Sequence, residues 1–297
     1  MARNSIQFPY SIEKNLPKDG RMKFFVFVLI LLLFFVNSAS SSYNETLVKY
    51  FVWPMASAAF SENPELCVKD NYKNSQFKRR ILVKCDGTPN DTCAGFTAVS
   101  HSDKAIILSF RGSQGVEEAM VEMMDGLLMK PVAPFSGGGN VNEYFLHAFN
   151  LLWSSGLRDD FLTLKNSNPD YSAWITGHSL GAAIASIAAT TIAHTKLISP
   201  DLIKLITFGE PRVGDKTYAE VADSLISYAY RVVHRHDIIP HLPPKGFRNY
   251  YHHKSEVWYN NDMSAGQPWK ECDVDEGEQC SDGTFESGSN VIFVLFL

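Results

Sequence analysis

The sequence predicts an α/β fold, a mostly parallel central sheet flanked by helices, on three observations. Four short runs rich in β-branched and aromatic residues, 105–110, 173–176, 202–208 and 229–234, are continuously apolar, as strands covered on both faces are. Stretches of helical character alternate with them: 181–194 is crowded with alanine and isoleucine, and 141–164 carries apolar residues at helical spacing. With 45% hydrophobic residues among 297 and a net charge of -5, the chain has the material for one large core and lacks a basic face, so nucleic acid is not an expected partner.

Taken from the amino end, Met22-Lys23 precedes a 13-residue apolar run, 24–36, and then the small residues Ser38 to Ser42. This is a signal-peptide pattern, too short for the roughly 20 residues that cross a bilayer. Cleavage is expected near Ser40, and the mixed-charge segment before Met22 points to translation starting at Met22. Residues 1–40 are therefore read as an N-terminal extension and signal peptide, and 41–297 as a single domain. The five cysteines, 67, 85, 93, 272 and 280, suit disulfides in an exported chain, with Cys85–Cys93 and Cys272–Cys280 as local candidates and Cys67 left over. Asn44 and Asn90 lie in acceptor sequons for glycosylation. Proline and glycine cluster at 131–139 and 240–246, read as loops over the sheet.

The sharpest signal is Gly177-His178-Ser179-Leu180-Gly181, with a strand-like run before it and the alanine-rich helix after it. A strand that turns directly into a helix strains the central residue, and glycines two positions either side leave room for the chain to double back. Ser179 is thereby lifted clear of the sheet, above a helix amino terminus that favours developing negative charge.

Four blocks in order resemble the class 3, fungal-type, triacylglycerol lipases: Ser109 to Ser113, Thr176 to Gly181, Thr207 to Gly214 and Asp237 to Pro244. The resemblance covers about 60–258 and implies an α/β-hydrolase fold with a lid helix, and a serine esterase acting on lipid esters. A serine hydroxyl needs a histidine to accept its proton and a carboxylate to orient that histidine. Asp237, at the end of the 229–234 run and before a proline-rich loop, matches the family's acid. Its alternative is a turn aspartate that caps a backbone N–H. Of nine histidines, His252 has the family spacing, with Glu256 four and Trp258 six residues on. His253 is the fallback, and His234 and His236 read as strand-end surface residues. The oxyanion donors expected are the Leu180 N–H and, by family position, Ser113 after the first apolar run.

After Ser113, the residues Val116, Met120, Met123 and Met124 fall at helical spacing between glycines, a candidate lid over an acyl groove. A core helix with an acidic outer face has the same periodicity. The alternatives to a lipase are an esterase for soluble or aryl esters and, from another class, a secreted lipid-binding protein without turnover. A metal-dependent hydrolase is disfavoured because no H-E-x-x-H occurs. No cofactor is required, and the partners expected are a lipid or ester substrate and transient contact with lipid interfaces, without a stable membrane span. The final seven residues, 291–297, are apolar and read as a terminal strand or as the remnant of an imperfect gene model.

Overall fold

β-Branched and aromatic runs form an eight-stranded sheet in the computed structural model, which describes residues 42–85, 92–112, 126 and 130–284. In chain order the strands are β1 (Ser75–Lys84), β2 (Thr92–Ser100), β3 (Ala105–Phe110), β4 (Val132–Pro134), β5 (Asn140–Asn142), β6 (Ser172–His178), β7 (Ile203–Phe208), β8 (Gly214–Asp215), β9 (Tyr228–His234), β10 (Tyr250–Tyr251), β11 (Glu256–Tyr259) and β12 (Lys270–Cys272). The large sheet runs β1-β2-β3-β6-β7-β9-β11-β12, and the pairs from β3 to β11 are parallel while both outer ends are antiparallel. Its central members are the four expected runs: β3 has the expected bounds, β6 and β9 extend theirs, and β7 begins one residue later. A second, small sheet, β10-β8-β5-β4, takes its strand β4 from the segment read as a loop at 131–139.

The period-2 alternation of each strand sorts side chains between two cores. On one face Ile106, Leu108, Phe110, Ala173, Ile175 and Leu205 pack against the helices α3 (Glu143–Leu152), α4 (Arg158–Ser167) and α5 (Leu180–His194). On the other, Ile107, Trp174, Ile206, Phe208 and Val232 meet the amino-terminal helical run 45–58, which ends in α1 (Trp53–Ala58) and is followed by α2 (Pro64–Asn71). Burying each large apolar side chain stabilises by about 1.5–3 kcal/mol. α5 is buried on nearly all sides because its alanines let the sheet, α3 and α6 (Lys216–Leu225) approach closely.

Several expectations change here. The stretch 141–164 is not one helix: Val141 belongs to β5, and Gly156, at φ 127, breaks the remainder into α3 and α4. His234 is not a surface residue, since it is buried and its Nε2 donates to Asn261 O at 2.6 Å, whereas His236 is exposed. Cys85 is bonded to Cys93 and Cys272 to Cys280, and Cys67 is a free, half-buried thiol. Asn44 is exposed, and its Oδ1 accepts from Leu47 N at 3.0 Å. Asn90, Ser113, the candidate lid residues Val116, Met120, Met123 and Met124, and 291–297 lie outside the described residues.

Candidate active site

β6 passes into α5 through Ser179, whose backbone sits at φ 56, ψ -127. A non-glycine residue in that left-handed region is strained, and here the neighbours enforce it. A Cβ on Gly177 would strike the carbonyl of Gly181, and one on Gly181 would strike the carbonyl of Phe110 at the end of β3. Two glycines therefore let strand, turn and helix nest together. Ser179 N donates to Phe208 O at 2.9 Å, continuing the ladder onto β7, and its carbonyl receives the amides of Ala182 and Ala183. Leu180 opens the helix, so its N–H belongs to the first turn and has no intrahelical partner. The loop after β3 arrives beside it: a Cβ on Gly112 would lie 3.4 Å from Ser179 Cβ.

Asp237 follows β9 and reaches the same carboxyl edge of the sheet. Gly209, just beyond β7 at φ 55, makes room for it, because a Cβ there would come within 2.7 Å of Asp237 Oδ2 and 3.6 Å of His178 Nε2. Asp237 Oδ1 accepts from Ile239 N at 3.0 Å. Burial pushes the carboxyl up to about 7 despite that hydrogen bond, and burial likewise holds His178 down at about 4. The sequence had placed Gly209 in a family block without giving it a task. The signal was available, since a glycine directly behind an apolar strand marks close approach of other groups.

His252 is buried, and its Nε2 donates to Pro240 O at 2.7 Å, so the imidazole is fastened to the loop that begins with Asp237. Burial, with the charges of Arg231 and Arg212, holds its pKa well below the usual imidazole range. Its Nδ1 and the hydroxyl of Ser179 are buried without hydrogen-bond partners. Each such orphan costs about 1–3 kcal/mol, a cost retained where the groups have work beyond folding. Ser179 and Asp237 thus lie beyond the carboxyl ends of β6 and β9, on either side of β7, whereas His252 precedes β11, which runs parallel to β9, and is tied to Pro240; the three make no hydrogen bond with one another in this arrangement. His253 is differently engaged. Its Nε2 donates to Glu210 Oε1 at 3.0 Å and its Nδ1 to Lys254 O at 2.9 Å; burial alone would lower its pKa, yet Glu210 outweighs burial and raises it. With both nitrogens committed, it is the poorer base.

A family model described as "Lipase (class 3)" matches residues 107–247. A lipase of Caenorhabditis elegans is 32% identical over 90% of this chain and 82% of its own length. A secreted mono- and diacylglycerol lipase of Penicillium cyclopium is 29% identical over 86% of this chain and 78% of its own. Among solved structures, a lipase from Rhizopus microsporus var. chinensis superposes with TM-score 0.67 at 25% identity, over 78% of this chain and 79% of that one.

Proposed function

The chain belongs to the class 3 lipase family and is a carboxylic ester hydrolase acting on lipid substrates, and we propose that it is a secreted acylglycerol lipase working through an acyl-enzyme on Ser179. The observation that carries this reading is Ser179 itself: a strained, left-handed serine between a strand and a helix, its hydroxyl unspent on any structural bond. The name of the Penicillium relative, a secreted mono- and diacylglycerol lipase, supports both the substrate class and export. The two disulfides fit the same compartment.

In this mechanism His252 takes the Ser179 proton as Oγ attacks the ester carbonyl. The oxyanion forms over the amino terminus of α5, where the Leu180 N–H is one donor and the loop carrying Ser113 supplies the other. The imidazolium then gives its proton to the departing alcohol. Water, deprotonated by the same histidine, attacks the acyl carbon; the imidazolium, stabilised by an Asp237 carboxylate that is ionised throughout, then returns the proton to the departing Ser179 Oγ as the fatty acid leaves. The imidazole must first leave Pro240 as an N–H donor. A half-turn about Cβ–Cγ exchanges Nε2 with Cε1 and Nδ1 with Cδ2, so that a C–H meets the Pro240 carbonyl and both nitrogens become available. Catalytic hydrogen bonds that tighten only with substrate bound are common.

The test is hydrolysis of emulsified long-chain triglyceride beside a soluble short-chain ester, by wild type and Ser179→Ala. Wild-type activity on the emulsion, abolished by the substitution, is expected. Full activity of Ser179→Ala would end the serine mechanism, and activity confined to the soluble ester would replace lipase with esterase.

A further inference from the structure

The Ser109 to Ser113 block holds three groups that the reaction as described leaves unused: the Ser109 hydroxyl, the Arg111 side chain and the bare backbone of Gly112. Ser109 is fully buried near the end of β3, and its Oγ donates to Met55 O of α1 at 2.8 Å. Arg111 is tied to β2. Its backbone N donates to Ala94 O at 2.9 Å, and its Nη2 donates to the Thr92 carbonyl and, at 2.9 Å, to the Thr92 hydroxyl. The segment leaving β3 is thus bolted to α1 through Ser109 and to β2 through Arg111.

Gly112, next along, occupies a slot with three walls. A Cβ there would strike the His178 carbonyl and would lie 3.1 Å from Phe60 Cζ and 3.4 Å from Ser179 Cβ. The first turn of α5 presses on the same segment, since a Cβ on Gly181 would strike Phe110 O and come within 2.8 Å of Gly112 N. Phe60 reaches the slot from the turn that ends α1, where its backbone N donates to Ser57 O at 3.1 Å. Its half-buried ring is tilted against the His178 imidazole with centroids 6.1 Å apart, and Trp53, at the start of α1, meets the same imidazole edge-on at 6.1 Å. Burial keeps that imidazole uncharged. The backbone from Phe110 to Gly112 is therefore held between the serine turn on one side and the Phe60 ring on the other.

We propose that Phe60 is a positioning residue for the oxyanion cradle: its ring holds the Gly112 backbone at a fixed separation from Ser179 and from the Leu180 N–H, and the Ser109–Met55 bond fixes α1 to the end of β3. This rests on the reading of Ser179 as the nucleophile and of the loop after β3 as the source of the second donor. Oxyanion donors act only where the tetrahedral oxygen forms, about 2.7–3.1 Å from each, and misplacement by about 1 Å can cost on the order of 10²-fold in rate. Removing the ring leaves a void beside Gly112 into which the loop can relax. Phe60→Ala is therefore expected to lower kcat on a soluble ester by about 10–100-fold with KM within about twofold of wild type. Phe60→Leu, which keeps an apolar wall, restores most of the loss. Ser109→Ala, which removes the bolt and leaves the ring, costs about 3–10-fold in kcat.

The oxyanion itself separates positioning from folding. An alkyl trifluoromethyl ketone takes Ser179 Oγ onto its carbonyl carbon, the serine proton leaving to the general base, and its oxygen becomes an anion in the cradle. The matching trifluoromethyl carbinol has no carbonyl and binds only as a ground state. Inhibition by both is measured beside kcat and KM for wild type, Phe60→Ala, Phe60→Leu, Ser109→Ala and Ser179→Ala, with active sites counted by phosphonate titration and folding followed by circular dichroism. In Phe60→Ala the ketone is expected to weaken by the factor lost from kcat/KM, while the carbinol binds as to wild type. If kcat per titrated site stays within twofold of wild type in both Phe60→Ala and Ser109→Ala, the positioning proposal is overturned, and the nucleophile stands as long as Ser179→Ala is inactive. A carbinol that weakens as much as the ketone also overturns it, because Phe60 then serves binding alone. Full activity in Ser179→Ala would instead sink the reading on which the proposal rests.

Discussion

The two sides of the site are built by different physics. The nucleophile's side is five consecutive residues in which backbone collisions around Gly177 and Gly181 dictate the geometry. The surroundings of His252, the proposed base, are assembled from Arg212, Pro240 and Glu276, spread over more than sixty residues and joined by buried charges and carbonyls. Steric geometry of the first kind is written into contiguous sequence as glycine spacing. Electrostatic geometry of the second kind leaves no local pattern, because each partner is chosen by a residue far away in the chain.

The contrast can be tested from its largest effect downward. Ser179→Ala should reduce kcat/KM by about 10⁴-fold or more, measured on a soluble ester under single-turnover conditions. Asp237→Asn should cost about 10²–10⁴-fold in kcat. The same substitution should alter stability with a definite sign. The folded-state pKa of about 7 lies above the unfolded value of 3.8, so the carboxyl's contribution is complete below about pH 4 and lost as pH rises through 7. Thermal unfolding of Asp237→Asn against wild type should therefore show a relative gain at pH 8 and none at pH 4. His252 runs the opposite way: its depressed pKa gives stability present above 6.5 and lost in acid.

Gly181→Ala tests whether the elbow is steric. The added methyl meets backbone rather than a flexible side chain, so a loss of about 3 kcal/mol or more is expected in denaturant titration, where an ordinary glycine-to-alanine change inside a helix gains about 0.5–1 kcal/mol. The smallest effect separates the two disulfides. Replacing Cys85 and Cys93 by serine should lower Tm by several degrees and leave kcat of the folded enzyme unchanged; replacing Cys272 and Cys280 should lower both. Equal kinetic behaviour of the two variants would erase the distinction between the regions.

Legibility in the sequence followed the same division. The four buried strands and α5 could be read because a segment covered on both faces must be apolar throughout. The edge strand β1 could not, since its outer position tolerates Lys78, Arg79 and Arg80, and its apolar content is diluted by charge. Strands of two or three residues, β4, β5 and β8, carry too little pattern to register. At the site, Ser179 announced itself through its turn, while Asp237 and His252 needed the family's spacing to stand out from other candidates. Arg212 stood in plain view within a recognised block, but its partner Glu276 is one acid among four between Cys272 and Cys280, and only the fold singles it out.

The most direct measurement is covalent labelling with an alkyl phosphonate ester, which reports the nucleophile without reference to substrate preference. Mass spectrometry of the digested protein should find one stoichiometric adduct, on Ser179, abolished in Ser179→Ala and slowed in His252→Ala. An adduct on a different residue, or full esterase activity in protein whose Ser179 is blocked, would contradict the account.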